Sequence, residues 1–190
     1  MPSITFRHAS ALGLIAAAVA MTACASRTPD EANPRTQASA RLAAAAVVPQ
    51  PNPQSPVAGT VNFSQVRDIV SVNGTVTGLK PNAAHGFHVH EKSDCSAPDF
   101  SSAGGHFNPT GQPHGAHGKG AHHLGDMPPL MADAHGTATI SFNSQSLKLR
   151  GPHSIMGKAI IVHRDPDDPT HQPVGNAGPR LACAVIVPGP

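Results

Sequence analysis

Three histidines fall within six residues of the segment AHGFHVHEKSDC (84–95), at positions 85, 88 and 90. Imidazole is the commonest metal-ligating side chain and titrates near neutral pH. Thirteen histidines in 190 residues are the outlying feature of the composition. Further along the chain, His106 sits in the turn-rich GGHFNP (104–109), His114 in PHG, and His123 and Asp126 in HHLGD, while His163 ends the apolar run IIVH (160–163). The imidazoles of His106, His114 and His123 with the Asp126 carboxylate form a set that can close a tetrahedral zinc site. The competing description is a solvated histidine-rich loop, and it suffices for His117 and His122, since HGKGAHH holds more imidazoles than one ion can use. Scattered surface histidines account for His8, His135, His153 and His171.

The opening segment divides by parity if it is a strand, because successive side chains then point to opposite faces. His88 and His90 share one face, and Phe87 and Val89 share the other. The apolar pair belongs to the core, so the two histidines face away from it as half of a metal site. His85 has the parity of Phe87 and Val89. It is expected to be a buried, hydrogen-bonded support rather than a ligand.

Positioning these groups needs a rigid frame, and the sequence offers strands. GTVNFSQ (59–65) and GTATISF (136–142) alternate apolar and polar residues, DIVSVNGTVTGL (68–79) is rich in β-branched residues, and KAIIVH (158–163) and LACAVIV (181–187) are short apolar runs. ARLAAAAVV (40–48) is expected to be a first strand running into a Pro-rich turn. Many short strands between Gly, Pro, Asn and Asp predict an all-β sandwich or barrel. Eighteen glycines and twenty prolines agree with a turn-rich chain. Two long connections, Glu91 to about Pro129 and His163 to Arg180, carry most of the candidate ligands. Such loops are usually functional or disordered, and closing a metal site would order them.

The N-terminus is organised differently. Arg7 followed by the apolar run ALGLIAAAVAM predicts a signal peptide over 1–23, too short to span a bilayer stably. TAC resembles a lipobox, which favours lipidation of Cys24 over ordinary cleavage at a nearby A-x-A-like site, and Cys24 is otherwise an odd cysteine in an exported chain. Residues 24–38 predict a flexible linker, and 39–190 the functional domain. Export to the periplasm or cell envelope follows, with membrane contact only through a lipid anchor. A formal charge of +2 gives no reason to expect a nucleic-acid partner.

The ordered set HGFHVHE, SAGGHFNP, HHLGD, GNAGPRLAC and the single His163 between them resembles the copper/zinc superoxide dismutases over about residues 39–190. The resemblance implies an eight-stranded antiparallel Greek-key barrel or sandwich with two long functional loops. It implies one copper on His88, His90, His106 and His163, and one zinc on His106, His114, His123 and Asp126, with His106 bridging the two. It implies that Asp167 links one copper histidine to one zinc histidine, that Arg180 attracts and orients the superoxide anion, and that Cys95 and Cys183 form a disulfide. Four imidazole nitrogens suit the tetragonal preference of Cu(II). The implied activity converts superoxide to dioxygen and hydrogen peroxide by Cu(II)/Cu(I) cycling, with zinc structural. His106 and Arg180 are its catalytic residues. A metal-buffering protein without turnover is the competing function, motivated by His117 and His122. The second loop departs from a Lys-rich steering loop, since Arg164 stands among Asp165, Asp167 and Asp168. Oligomeric state does not transfer from the family.

Overall fold

The computed structural model describes residues 35–189, together with Met1 and Ser3. The expected signal peptide, Cys24 and nearly all of the expected linker lie outside the described residues. Ten strands follow in order: β1 (Thr36–Ala44), β2 (Ala58–Val66), β3 (Ile69–Thr77), β4 (Ala84–His85), β5 (Phe87–His90), β6 (Leu130–Met131), β7 (Ala138–Ser144), β8 (Ala159–His163), β9 (Arg180–Val185) and β10 (Val187–Pro188). Among the described residues the only helical element is a 3-10 turn, Ser101–Ala103.

Eight strands form one antiparallel sheet in the order β5-β8-β9-β1-β2-β3-β7, with β10 pairing β1 beyond the end of β9. The sheet curls into a half-barrel. Its two edge strands approach at one end through a separate two-stranded ladder, in which β4 and β6 pair Ala84 with Met131 and His85 with Leu130. The chain passes from β3 to β5 at the opposite edge, returns to β7, and crosses again to β8, which is the Greek-key pattern expected.

Alternation builds the core. Val61 and Phe63 of β2, Val70, Val72 and Val76 of β3, and Ala138 and Ile140 of β7 are all buried, and their polar neighbours face out. β8 does not alternate, because all five of its residues are buried. Ile160 and Val162 enter the main core, while Ala159 and Ile161 pack on the other face against Phe100, Ala103 and Cys183. A strand covered on both faces reads as a continuous apolar run. The cover on this outer face is the long loop after β5, and the candidate ligands lie beneath it.

The first strand differs from its predicted bounds. It starts at Thr36, inside the stretch expected as linker, and ends at Ala44. Thr36 pairs with Gln65 and Ala38 with Pro188, so ladder bonds to β2 and β10 extend the strand beyond the run marked in the sequence.

Candidate metal centre

The free edge of β5 is occupied by the long loop itself. Val89 donates its N–H to Gly125 O at 2.8 Å, Phe107 N–H returns to Val89 O at 2.8 Å, and Glu91 N–H reaches Gly105 O at 2.9 Å. These bonds carry His106 and Asp126 onto the outer face of the sheet, where isolated bridges pair His90 with His106 and His88 with Asp126. On the other side β8 pairs with β5, and His163 N–H binds Gly86 O at 2.8 Å, bringing its imidazole beside the same face. His88 and His90 thus share a face that is covered by chain rather than by solvent, and both are buried.

His88, His90, His106 and His163 bring one nitrogen each within 4.8 Å of one another. Hydrogen bonding fixes which nitrogens point inward. His90 Nδ1 lies 2.9 Å from Gly104 O, and His163 Nδ1 lies 3.0 Å from Gly178 O. A carbonyl only accepts, so both Nδ1 atoms carry the proton and both Nε2 atoms hold lone pairs. Those two Nε2 atoms face each other at 3.4 Å. Neither neutral ring has a proton to offer the other, and a shared cation would satisfy both. His88 adds Nδ1, buried and without a hydrogen-bond partner. The donor set therefore fits a metal, and its all-imidazole character fits copper.

The second group is His106, His114, His123 and Asp126, all buried, with ligand atoms again within 4.8 Å. His106 Nδ1 lies 3.0 Å from Asp126 Oδ1 and 3.3 Å from His123 Nδ1. His114 Nδ1 lies 3.1 Å from Asp126 Oδ2. Gly115 and His123 donate backbone N–H bonds to Oδ2 at 3.1 and 2.9 Å, which fixes the carboxylate. Three nitrogens and one oxygen are a donor set that can close a tetrahedral zinc site. His106 belongs to both groups, and its Nδ1 is committed to this one.

Burial sets the protonation of these rings. It lowers His106 to about 4 and His163 to about 3, and pushes His90 well below its ordinary value. All three are neutral at pH 7, the form that binds a metal. His114 goes the other way. Burial opposes the charge, but the Asp126 and Asp167 carboxylates outweigh it and raise His114 to about 9. Burial raises Asp126 and Asp167 too, yet the facing histidines hold both carboxyls well below the usual range.

Asp167 joins the two groups. Its Oδ1 lies 3.1 Å from His88 Nε2 and its Oδ2 lies 3.0 Å from His114 Nε2. The loop that presents it is shaped by Gly175 (φ +72), where a Cβ would fall 2.1 Å from Asp167 Oδ1 and 2.5 Å from His114 Nε2. Sequence reasoning passed over Gln172. Its side chain accepts from His114 N–H at 2.9 Å and donates to His114 O at 2.9 Å, clamping that histidine's backbone from the opposite loop. The pairing spans 58 residues and leaves no local signal in the sequence.

Arg180, at the start of β9, is half-buried. Its two terminal nitrogens donate to Phe100 O and, at 2.7 Å, to Gly104 O. The Cys95–Cys183 disulfide, with Cα atoms 6.0 Å apart, ties that same loop to β9. Arg164 is turned to its neighbour, with Nε and NH2 bonded to Asp165 at 3.0 and 2.9 Å.

His85 lies outside both groups, fully buried, with Nδ1 donating to His163 O at 2.9 Å. His117 and His122 are half-buried on the outer side of the loop and join neither group.

Residues 57–186 match the family model described as copper/zinc superoxide dismutase. The chain is 43% identical over 139 residues to "Superoxide dismutase [Cu-Zn]" of Paramecium bursaria Chlorella virus 1, covering 70% of this chain and 74% of that protein. It is 41% identical over 138 residues to the protein of the same name from Cordyceps militaris, covering 68% and 89% respectively. Among solved structures, the clock protein EA4 superposes with a TM-score of 0.71 at 35% identity, covering 81% of this chain and 95% of that one.

Proposed function

The chain belongs to the copper/zinc superoxide dismutases, and from that membership we propose that it is an exported dismutase in which His88, His90, His106 and His163 hold copper and His106, His114, His123 and Asp126 hold zinc. The activity is that of a superoxide dismutase with copper and zinc as cofactors. The observation that carries the ligand assignment is the pair of lone-pair Nε2 atoms of His90 and His163, facing at 3.4 Å inside a cluster of four buried imidazoles.

Copper supplies one-electron cycling between Cu(II) and Cu(I), which zinc cannot do, so zinc is structural. Around it the side chains divide the work. Arg180 provides a fixed positive charge for a small anion, and its guanidinium is aimed by the Phe100 and Gly104 carbonyls. His106 directs Nδ1 at the zinc group, so its Nε2 is the atom placed to bind copper or to hold a proton for the peroxide product. Asp167 orients His88 and His114 together. His85 holds the backbone of His163. Export rests on the leader sequence and on Cys24, whose replacement by Ser should release the protein from membranes. A wild-type protein already found in the soluble fraction would end the lipid-anchor reading.

Metal content and superoxide removal measured on one sample test the whole assignment. One copper and one zinc per full chain, with dismutase activity, is the expected result. A copper-loaded chain that does not remove superoxide would identify a metal-buffering protein instead. His163→Ala should abolish activity and leave the domain folded; full activity would take His163 out of the copper set.

A further inference from the structure

The two extra histidines of HGKGAHH sit together. His117 and His122 place their ring centroids 5.5 Å apart at an interplanar angle of 70°. The rings of the candidate zinc group are spaced alike, at 5.3 Å for His106–His114 and 5.4 Å for both His106–His123 and His114–His123. Each outer ring also has one nitrogen tied away. His117 Nδ1 donates to Asp126 O at 2.8 Å, and His122 Nδ1 donates to Gly120 O at 3.0 Å. Since carbonyls only accept, both Nε2 atoms are left as lone pairs. Phe142 packs edge-on against His117 with centroids 5.5 Å apart, which holds that ring in place. Both rings line one open cleft of about 610 Å³ with Gln145 and Ser146, and His122 Nε2 stands 3.5 Å from Ser146 Oγ.

From this geometry we propose that His117 and His122 form a third, solvent-facing metal site that takes a borderline divalent cation, with Zn²⁺ as the representative ion. Two imidazole Nε2 atoms bind the ion at ~2.0–2.1 Å, and the Ser146 hydroxyl, the Gln145 amide oxygen or water completes its shell. The site is exchangeable, because the cleft is open and only two strong ligands come from the chain. An ion bound there braces the outer side of the loop that carries Asp126 against the chain leaving β7.

Calorimetric titration of Zn²⁺ into the full chain, already loaded with one copper and one zinc, tests the site. One further equivalent should bind. His122→Gln should lose that equivalent and keep the two resident ions, because His122 bonds only Gly120 and Ser146. His117→Gln should lose it as well. No further equivalent in the parent protein would overturn the proposal. So would a further equivalent that survives His122→Gln, since that would place the ion on other surface histidines. A parent that fails to hold the first two ions would instead count against the assignment of the buried centre.

Discussion

The Cys95–Cys183 bond closes a span of 88 residues. Restricting a loop of that size in the unfolded chain removes about 15 cal/mol/K of entropy, or about 4.6 kcal/mol at 25 °C. Native strain subtracts from this figure, so it is an upper value. For a domain of this length 1 kcal/mol moves Tm by ~2–4 °C, so the Cys95→Ser/Cys183→Ser double variant should melt roughly 10–15 °C below the parent. Thermal unfolding of the metal-free forms is the cleaner comparison, because metal binding adds its own stabilisation to the folded state. Activity gives a second readout. The bond secures the loop whose Phe100 and Gly104 carbonyls aim Arg180, so the double variant should remove superoxide more slowly per bound copper. A metal-free Tm within 2 °C of the parent would refute the chain-constraint argument. An unchanged rate per copper would refute the positioning argument.

The bridging carboxylate gives a second prediction. Asp167→Asn keeps the shape but sets an amide donor against one of two imidazole Nε2 atoms, and should weaken metal retention roughly 10–100-fold. Competition with a chelator measures it, and unchanged zinc and copper affinities would remove Asp167 from the site's support. Arg180→Ala should slow superoxide removal roughly tenfold or more and flatten its dependence on ionic strength; stopped-flow assays across a salt series would show otherwise if the guanidinium were idle. The metal-free protein should lose stability on acidification. His106 and His163 have folded-state values near 4 and 3, below the ordinary 6.5. The unfolded chain therefore takes up protons that the folded chain refuses, and stability present above pH 6.5 falls as pH drops towards 3. His114, raised to about 9, contributes the opposite slope, with stability lost between about pH 6.5 and 9. Unfolding midpoints in denaturant across that range should peak near neutrality, and a flat profile would contradict both assignments.

What the sequence made visible was periodicity and order. Parity in FHVH separated His88 and His90 from Phe87 and Val89, and it put His85 on the supporting side, where it bonds His163 O. The alternation in β2, β3 and β7 marked one buried face. Contacts that depend on distant backbone were silent. The start of β1 at Thr36 is enforced by ladder partners more than twenty residues away. The carbonyls of Gly104 and Gly178, which decide the tautomers of His90 and His163, have no side chain to announce them. Gln172 looks like an ordinary polar loop residue until the second long loop folds against the first and clamps His114. The pairing of His117 with His122 was equally hidden, because spacing within a glycine-rich turn does not say which way two rings face.

One acceptor serves two masters in this molecule. The Gly104 carbonyl takes a hydrogen bond from His90 Nδ1 at 2.9 Å and another from Arg180 NH2 at 2.7 Å. On the proposed assignment, the copper ligand His90 and the anion-guiding Arg180 are therefore not independent dials. A substitution that shifts this turn, as a side chain at Gly104 would because its φ of +76 strains any residue but glycine, moves the His90 ring and the guanidinium in one stroke. If His90 holds copper as proposed, variants around residues 100–105 should consequently fall along a single trend of reduction potential against anion affinity.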